Sequence, residues 1–494
     1  MISEKLKQAR EYEEKYRTLI SEEARPRFHV TGGIGWINDP NGFSVYKGEY
    51  HLFYQYHPYS TKWGPMHWGH VKTKDFVKWE RLPVAMAPDT AADEKGCFSG
   101  SAIELPDGRQ LLMYTGVYHE ENEDGILRDV QQQCIAVGDG VNYEKYENNP
   151  VIDSSMLPAG GSKNDFRDPK IWEENGTYYA VIGNLTEDGS GAVLMYESPD
   201  GFHWNYSATI DRCYNEYGKM WECPDFFSLD GSRVLVVSPQ EMQAIGMEFH
   251  VGHCTAFFIG EYDEAHHFER KAVQAVDYGL DFYAPQTLLA PDGRRIMIAW
   301  MQNWTSSNCR NPGQLYLGEM TFPRELTIRN GRVCQLPVRE IERYYGRKVV
   351  FENVLVHGVT TLPGVSGRVI DMTVKLKPAN EEGFNWFRVN VAKDGENVTV
   401  VRYKPKSRMV RIDRSRCGFP NDIVHIRDFL VNPVDGELTL RILMDRHSLE
   451  LFVNNGEQAA TMMVYTEQTA QSITFDAEGD VLMSVVKYDL EFEE

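Results

Sequence analysis

Residues 39–54 read Asp39-Pro40-Asn41-Gly42-Phe43-Ser44-Val45-Tyr46-Lys47-Gly48-Glu49-Tyr50-His51-Leu52-Phe53-Tyr54. This stretch consists of a short polar motif, an apolar run, a turn at Lys47-Gly48 and a second apolar run. Two apolar runs around a glycine turn predict a β-hairpin, because glycine adopts the positive φ that tight turns require. The hairpin decides the fold because the chain repeats the whole cassette.

Four further copies of the cassette follow. They begin at Ser99-Gly100-Ser101, Asp168-Pro169-Lys170, Glu222-Cys223-Pro224 and Ala284-Pro285-Gln286. The copies are 54 to 68 residues apart, enough for about four short strands and their turns, which is the content of one propeller blade. The sequence therefore predicts a five-bladed β-propeller. Because the intervals are irregular, an array of sandwiches is the alternative.

The rest of the chain completes an all-β architecture with one short helix. Apolar residues at helical spacing among charges predict an N-terminal helix within residues 1–27. The propeller is predicted for residues 28–328 and a linker for residues 329–345. Short alternating strands separated by turns then predict a C-terminal β-sandwich over residues 346–494.

Composition and charge restrict the class of partner. The chain has 494 residues, with 72 Asp plus Glu against 51 Lys plus Arg and a formal net charge of −21. This balance argues against nucleic acid and anionic membranes, which require a basic surface. Eight scattered cysteines lack metal-ligand spacing, and the charged N-terminus lacks the apolar core of a secretory signal. We expect a reduced, cytoplasmic protein that acts on a small neutral molecule without a metal or other cofactor.

Acidic side chains begin three of the five cassettes: Asp39, Asp168 and Glu222. The first strand of each propeller blade lines the central channel, so these carboxyl groups are predicted to converge. Crowded and partly buried carboxyl groups repel one another, and at least one keeps its proton near neutral pH. A protonated and an ionised carboxyl group together are what cleavage of a glycosidic bond needs. Each acid taken separately could be a turn or surface residue, but their matching positions favour catalysis.

Aromatic and polar residues near these acids predict a sugar-binding site. Aromatic rings can stack on sugar faces, and amide, hydroxyl and guanidinium groups bond to sugar hydroxyls. The predicted contact residues are Trp36, Asn38, Gln55, Trp63, Phe98, Ser99, Arg167 and Trp300, with Cys223 as a neighbour of the acids.

The motifs that contain these residues resemble glycoside hydrolase family 32, the β-fructofuranosidases. The similar motifs are Trp36-Ile37-Asn38-Asp39-Pro40-Asn41-Gly42, Phe166-Arg167-Asp168-Pro169, Trp221-Glu222-Cys223-Pro224 and, near the C-terminus, Ser448-Leu449-Glu450-Leu451-Phe452-Val453-Asn454-Asn455-Gly456. The resemblance covers residues 28–490 and implies a five-bladed propeller followed by a sandwich. It also implies Asp39 as the nucleophile, Glu222 as the general acid/base and Asp168 as the residue that stabilises the transition state. Cys223 is then a neighbour and not a nucleophile.

The implied reaction is hydrolysis of terminal β-D-fructofuranosyl units of sucrose and short fructo-oligosaccharides with retention, which requires carboxyl groups about 5–5.5 Å apart. The alternatives are a sucrose-6-phosphate hydrolase, a fructosyltransferase, an inverting arabinanase-like or xylosidase-like hydrolase, and a non-catalytic sugar-binding propeller. A phosphorylated sugar would need a cation beside the site, and the candidates are Lys62, Lys95, Lys163 and Arg310. The appended sandwich could supply an interface for a homo-oligomer.

Overall fold

The computed structural model of the chain describes residues 2–121, 124–307, 313–419 and 422–492. Its N-terminal segment forms α1 (Glu4–Tyr16), which begins at Ser3, whose hydroxyl oxygen accepts a hydrogen bond from the amide of Leu6. Leu6 and Ala9 are buried against the first blade of the propeller. The prediction of a short N-terminal helix is confirmed. No helix in the described part of the chain is long and apolar enough to span a membrane.

Five sheets follow and form the predicted five-bladed propeller. In chain order their strands are β1 (Gly35–Tyr46), β2 (Glu49–His57), β3 (His67–Thr73) and β4 (Trp79–Met86); β5 (Gly96–Glu104), β6 (Gln110–Glu121), β7 (Leu127–Gly138) and β8 (Tyr143–Lys145); β9 (Gly161–Glu174), β10 (Thr177–Thr186), β11 (Gly191–Ser198) and β12 (Asn205–Arg212); β13 (Trp221–Leu229), β14 (Ser232–Pro239), β15 (Ala256–Tyr262) and β16 (Phe268–Ala275); β17 (Tyr283–Leu289), β18 (Arg295–Trp300), β19 (Tyr316–Leu317), β20 (Arg324–Arg329) and β21 (Arg332–Pro337). Short 3₁₀ turns lie at Arg17–Leu19, Glu22–Ala24, Ser154–Met156, Arg339–Tyr344 and Pro405–Ser407.

The ring of blades closes where β19 leaves the fifth blade. It pairs in parallel with β1, with Gly35 opposite Tyr316 and Trp36 opposite Leu317. The first sheet therefore has five strands, and the fifth sheet runs in the order β17-β18-β20-β21. The pairing of β19 with β1 connects the last blade to the first and places Trp36 at the contact between them.

The predicted linker at residues 329–345 is too long. Asn330 and Gly331, both at positive φ, form a tight turn between β20 and β21, so that residues 332–337 become the outer strand of the fifth blade. An Asn-Gly pair between two strands is a hairpin signal, so the prediction that this pair belongs to a connection between domains is wrong. The C-terminal unit begins after the 3₁₀ turn Arg339–Tyr344.

The C-terminal unit is one continuous sheet of ten strands that forms a sandwich-like fold. Its strands are β22 (Tyr345–Thr360), β23 (Ile370–Pro378), β24 (Phe384–Asp394), β25 (Asn397–Lys404), β26 (Met409–Arg416), β27 (Ile426–Leu430), β28 (Leu438–Met444), β29 (Ser448–Val453), β30 (Gln458–Met463) and β31 (Ser472–Leu490). The first half of β31 pairs with β24 and its second half with β23. Side chains from strands on both sides of this division share one buried apolar cluster.

A buried charge network joins the propeller to the C-terminal unit. Nδ1 of His29 lies 2.9 Å from Oδ2 of Asp445, and its Nε2 lies 3.0 Å from Oε1 of Glu450. Arg324 of the propeller also pairs with Glu450. Burial alone would lower the pKa of His29, but its hydrogen bonds with the two carboxylates raise it to about 10. His29 is therefore a buried cation that holds two acids of the other domain.

Candidate active site

A β-bulge interrupts the first strand of every blade at the level of the predicted acids. Bulges re-aim side chains, and in the third, fourth and fifth blades the bulge places Asp168, Cys223 and Ala284 at positive φ directly before a proline. Matching these prolines makes Cys223 the residue equivalent to Asp168. The cassette alignment that sets Glu222 level with Asp39 and Asp168 is therefore wrong by one residue. Glu222 corresponds instead to Arg167, one position earlier.

The three acids nevertheless meet in a cavity of about 580 Å³ at one end of the central channel. Nine of the twelve predicted site residues line it: Asn38, Asp39, Gln55, Trp63, Phe98, Ser99, Arg167, Asp168 and Glu222. Residues that are separated by up to 184 positions in the chain are thus brought to one surface. The convergence inferred from the repeat is a feature of the structure.

Asp39 and Asp168 lie deepest and share Cys223 as a neighbour. The Sγ atom of Cys223 is 3.6 Å from Oδ2 of each aspartate, and its backbone amide donates to Oδ2 of Asp168 over 2.9 Å. Asp39 also accepts hydrogen bonds from Ser99 Oγ at 2.7 Å and from Asn38 Nδ2 at 3.1 Å. The two carboxylates are therefore fixed in position by partners on several blades.

Glu222 is held from two sides. Its Oε1 accepts from Nε and Nη2 of Arg167, at 3.2 Å each, and its Oε2 accepts from the hydroxyl of Tyr283 at 2.6 Å. Arg167 is itself anchored by Oδ1 of Asp165 at 2.8 Å and Oε1 of Gln131 at 3.2 Å. Tyr283 was not predicted from the sequence, although it precedes Ala284-Pro285 just as Glu222 precedes Cys223-Pro224.

The pKa values of the deep acids are raised. Burial raises the pKa of Asp39 to about 6, with a further contribution from the charge of Glu222, against the hydrogen bonds from Ser99 and Asn38. Burial also raises the pKa of Asp168, aided by the charges of Glu222 and Asp39 and opposed by that of Arg167. Burial and the three neighbouring acids raise the pKa of the Cys223 thiol well above its usual value. The thiol therefore stays protonated and is a poor nucleophile.

Polar side chains on the first strands of the blades also form contacts with other blades. The Nζ atom of Lys170 pairs with Oδ2 of Asp225 at 3.2 Å. Nε2 of Gln286 donates to the carbonyl of Gly100 at 2.6 Å. Lys170 and Asp225 line a second cavity and not the one that contains the three acids.

Trp36, Cys223 and Trp300 lie behind the cavity wall. Trp36 is buried and donates from Nε1 to Oδ1 of Asn38 at 2.8 Å. Trp300 is fully buried, with its ring 5.2 Å from that of Trp304. Trp304, four residues further along, lines the cavity in its place. These three side chains support wall residues, and the aromatic wall facing a ligand consists of Trp304, Trp63 and Phe98.

The cavity wall also contains residues that the sequence analysis did not identify. They come from β7 and from the first part of β9: Arg128, Asp129, Gln131, Ser162, Asn164 and Asp165. These positions lie outside the recognised motifs, and their place beside the acids depends on how neighbouring blades pack. The length of the β6–β7 hairpin was the one feature of the sequence that could have indicated that this hairpin reaches the site.

Three of the four candidate phosphate-binding cations are not on the cavity wall. Lys62 is exposed, Lys95 pairs with the adjacent Glu94 at 3.7 Å, and Lys163 pairs with Glu120. None of these three lysines lines the cavity. The fourth candidate, Arg310, lies outside the described residues.

Comparison with known proteins shows similarity over nearly the whole chain. Residues 29–337 match the model described as glycosyl hydrolases family 32 N-terminal domain, and residues 340–491 match the family 32 C-terminal model. Raffinose invertase of Escherichia coli is 35% identical, covering 93% of each chain. Sucrose-6-phosphate hydrolase of Bacillus subtilis is 33% identical, covering 96% of each chain. The solved family 32 β-fructofuranosidase of Bombyx mori is 32% identical with a TM-score of 0.83, covering 98% of each chain, and a mutant of it has been solved with sucrose.

Proposed function

The chain belongs to glycosyl hydrolase family 32, and on this premise we propose that it is a retaining β-fructofuranosidase that releases fructose from the non-reducing end of sucrose and short fructo-oligosaccharides. The observation that carries the proposal is that Asp39, Asp168 and Glu222 line one cavity. The relatives named as an invertase and as a β-fructofuranosidase support it.

In the first step Asp39 attacks the anomeric C2 of the fructosyl unit. The bond between C2 and the glycosidic oxygen breaks, a bond between C2 and the Asp39 carboxylate forms, and Glu222 gives its proton to the departing oxygen. Asp39 is prepared for this role because Asn38 and Ser99 fix its two oxygens. Reaction needs Asp39 ionised and Glu222 protonated at the same time, and crowding of the three acids keeps a proton in the cavity.

Tyr283 lets Glu222 change its protonation state without losing a partner. A phenol hydroxyl offers one donor and two acceptor sites, and this hydroxyl lies between Oε2 of Glu222 and the carbonyl of Ser238, 3.0 Å away. When Glu222 is ionised, the hydroxyl donates to it. When Glu222 is protonated, the hydroxyl can donate to Ser238 and accept from Glu222.

In the second step Glu222 takes a proton from water, and the resulting hydroxide attacks C2. The ester to Asp39 breaks, and fructose leaves with its configuration retained. Asp168 binds hydroxyls of the fructosyl ring through both steps, because its backbone is fixed at the bulge and its Oδ2 is held by the Cys223 amide. Transfer to a second sugar uses the same residues with a different acceptor.

The charge of the cavity favours an uncharged substrate. Five acids line it, namely Asp39, Asp129, Asp165, Asp168 and Glu222, against two arginines, Arg128 and Arg167. Arg167 is already bonded to Asp165 and Glu222. A phosphate dianion entering such a site meets net repulsion. Sucrose-6-phosphate hydrolysis is the second candidate, because the Bacillus subtilis relative bears that name.

A substrate panel tests these assignments. We expect the wild type to release fructose from sucrose and 1-kestose faster than from sucrose 6-phosphate or inulin, with glucose and fructose formed in equal amounts from sucrose. Asp39→Asn should abolish release. Equal activity of the wild type and Asp39→Asn would contradict the nucleophile assignment, and a deficit of free fructose would identify transfer.

We also propose a cytoplasmic location. The described cysteines, Cys97, Cys134, Cys213, Cys223, Cys254, Cys334 and Cys417, are free and buried, which fits a reducing compartment. Cys309 lies outside the described residues. Association of copies through the C-terminal unit stays a prediction, which sedimentation analysis of the whole chain would test.

A further inference from the structure

We infer that Arg128 binds the departing sugar through its hydroxyl groups and thereby selects an uncharged, hydroxyl-rich leaving group. This inference rests on the proposed function, because it concerns the half of the same cavity that receives the leaving group. It assigns a specificity role to a residue that none of the recognised motifs contains.

Arg128 is carried by a hairpin fixed over the edge of the cavity. Strands β6 and β7 pair without interruption to their ends, with Glu120 opposite Arg128 and His119 opposite Asp129. Asn164 of the next blade donates from Nδ2 to the carbonyl of Asp129 at 2.6 Å. The backbone that carries Arg128 is therefore anchored to two blades.

The charged neighbours of Arg128 are already paired with one another. Oδ1 of Asp129 lies 2.8 Å from Nε2 of His119, and Lys163 pairs with Glu120. Within residues 2–121, 124–307, 313–419 and 422–492, the Arg128 guanidinium has no hydrogen bond or ion pair. Arg128 thus lines the cavity with donors that no described residue uses, whereas Arg167, the other arginine on the wall, is bonded to Glu222.

The leaving group must lie on the same side of the cavity as Arg128. The proton donor Glu222 is bonded to Arg167, and Arg167 is bonded to Gln131, which lies on β7 three residues after Arg128. The departing oxygen has to sit beside the acid that protonates it. The sugar attached to that oxygen then extends along the wall formed by Gln131, Asp129 and Arg128.

The chemistry of the wall favours hydroxyl groups over phosphate at this point. A guanidinium presents five N–H donors in a rigid fork that matches the oxygens of a phosphate and can also donate to two adjacent hydroxyls, so the neighbouring carboxylate decides between the two ligands. Asp129 lines the same wall and offers acceptor oxygens for hydroxyl hydrogens, while it repels a phosphate. One exposed arginine beside an aspartate is a weak anchor for a dianion and a good one for a diol.

Two substrates with the same fructosyl unit and different leaving groups test the inference. The leaving group of sucrose is glucose. The leaving group of methyl β-D-fructofuranoside is methanol, which is too small to reach Arg128. For Arg128→Gln we expect kcat/KM on sucrose to fall about 10- to 100-fold, the effect of losing hydrogen bonds to a charged group, and kcat/KM on the methyl glycoside to change less than about twofold. Arg128→Lys should recover little, because it keeps the charge and loses the fork.

Arg109→Gln is the matched control, since Arg109 is also an exposed arginine but pairs with Asp107 at the turn between β5 and β6 and does not line the cavity, and we expect it to leave both substrates unaffected. Equal losses on both substrates in Arg128→Gln, or no loss on either, would overturn the inference. It would also be overturned if the wild type preferred sucrose 6-phosphate and Arg128→Gln abolished that preference. Absence of fructose release by the wild type from either glycoside would instead refute the proposed function.

Discussion

The hydroxyl of Tyr283 lies 2.6 Å from Oε2 of Glu222. Tyr283 is 1% exposed and does not line the cavity, so it acts on a substrate through Glu222 alone. Burial and the charge of Glu222 raise the pKa of its hydroxyl well above the usual value, so the hydroxyl stays protonated. The pair joins the fourth and fifth blades at the point where the proposed acid must be held.

Tyr283→Phe tests this positioning role. Removing one hydrogen bond to a charged group should lower kcat on sucrose by about tenfold or more, while KM stays within about twofold because no wall residue changes. Tyr196→Phe removes a hydroxyl that donates to the carbonyl of Met156 in the 3₁₀ turn between the second and third blades, and we expect no effect on kcat. A rise in KM with kcat unchanged would argue against the role.

The pKa of Asp39 predicts the acidic limb of the pH profile. Because that pKa is raised to about 6, Asp39 is protonated and inactive as a nucleophile below about pH 6, and kcat/KM on sucrose should fall as the pH drops through this value. The bond from Ser99 lowers the pKa of Asp39. In Ser99→Ala the limb should therefore move to higher pH, and a limb that stays in place or moves down would contradict this assignment.

His29→Gln tests the charge network between the domains. It leaves the buried carboxylate of Asp445 without its cation and Glu450 with Arg324 alone, and we expect a loss of about 3–5 kcal/mol in the free energy of unfolding, measured by urea denaturation at pH 6. His267→Gln, in an exposed loop, is the control and should change little.

The same network predicts how this loss depends on pH. The pKa of His29 in the folded chain, about 10, lies above the unfolded value of about 6.5. Its stabilising contribution is fully present below about pH 6.5 and disappears as the pH rises toward 10. The difference in stability between the wild type and His29→Gln should therefore shrink from pH 6 to pH 9.5. A difference that grew with pH would show that His29 is not a buried cation.

The sequence predicted the propeller well because each blade begins with the same hairpin cassette, which depends on local turn chemistry. It misplaced residues 332–337 because a hairpin signal gives no information on which sheet the second strand joins. It aligned Glu222 with the two aspartates because a bulge changes the direction in which a side chain points without changing the pattern of residue types.

The sequence predicted the three acids of the site, but it predicted the other residues of the cavity wall less completely. Asp39 and Asp168 stand at matching positions in the repeat, and Glu222 stands one position earlier in its own copy. Trp300 and Trp304 are indistinguishable by residue type, and both rings pack against Trp36, so the sequence does not show that Trp304 is the one on the cavity wall. Arg128 lies on a strand of ordinary sequence, and its place on the wall depends on contacts between blades.

The central claim, that Asp39 forms the covalent bond to fructose, is tested most directly by trapping the intermediate. In Glu222→Gln, β-D-fructofuranosyl fluoride should react because fluoride leaves without an acid, and the ester should accumulate because no base activates water. Mass spectrometry of the digested protein is predicted to find one fructosyl group on the peptide that contains Asp39. A fructosyl group on Asp168 or Cys223, or turnover of the fluoride with no labelled peptide, would contradict the account.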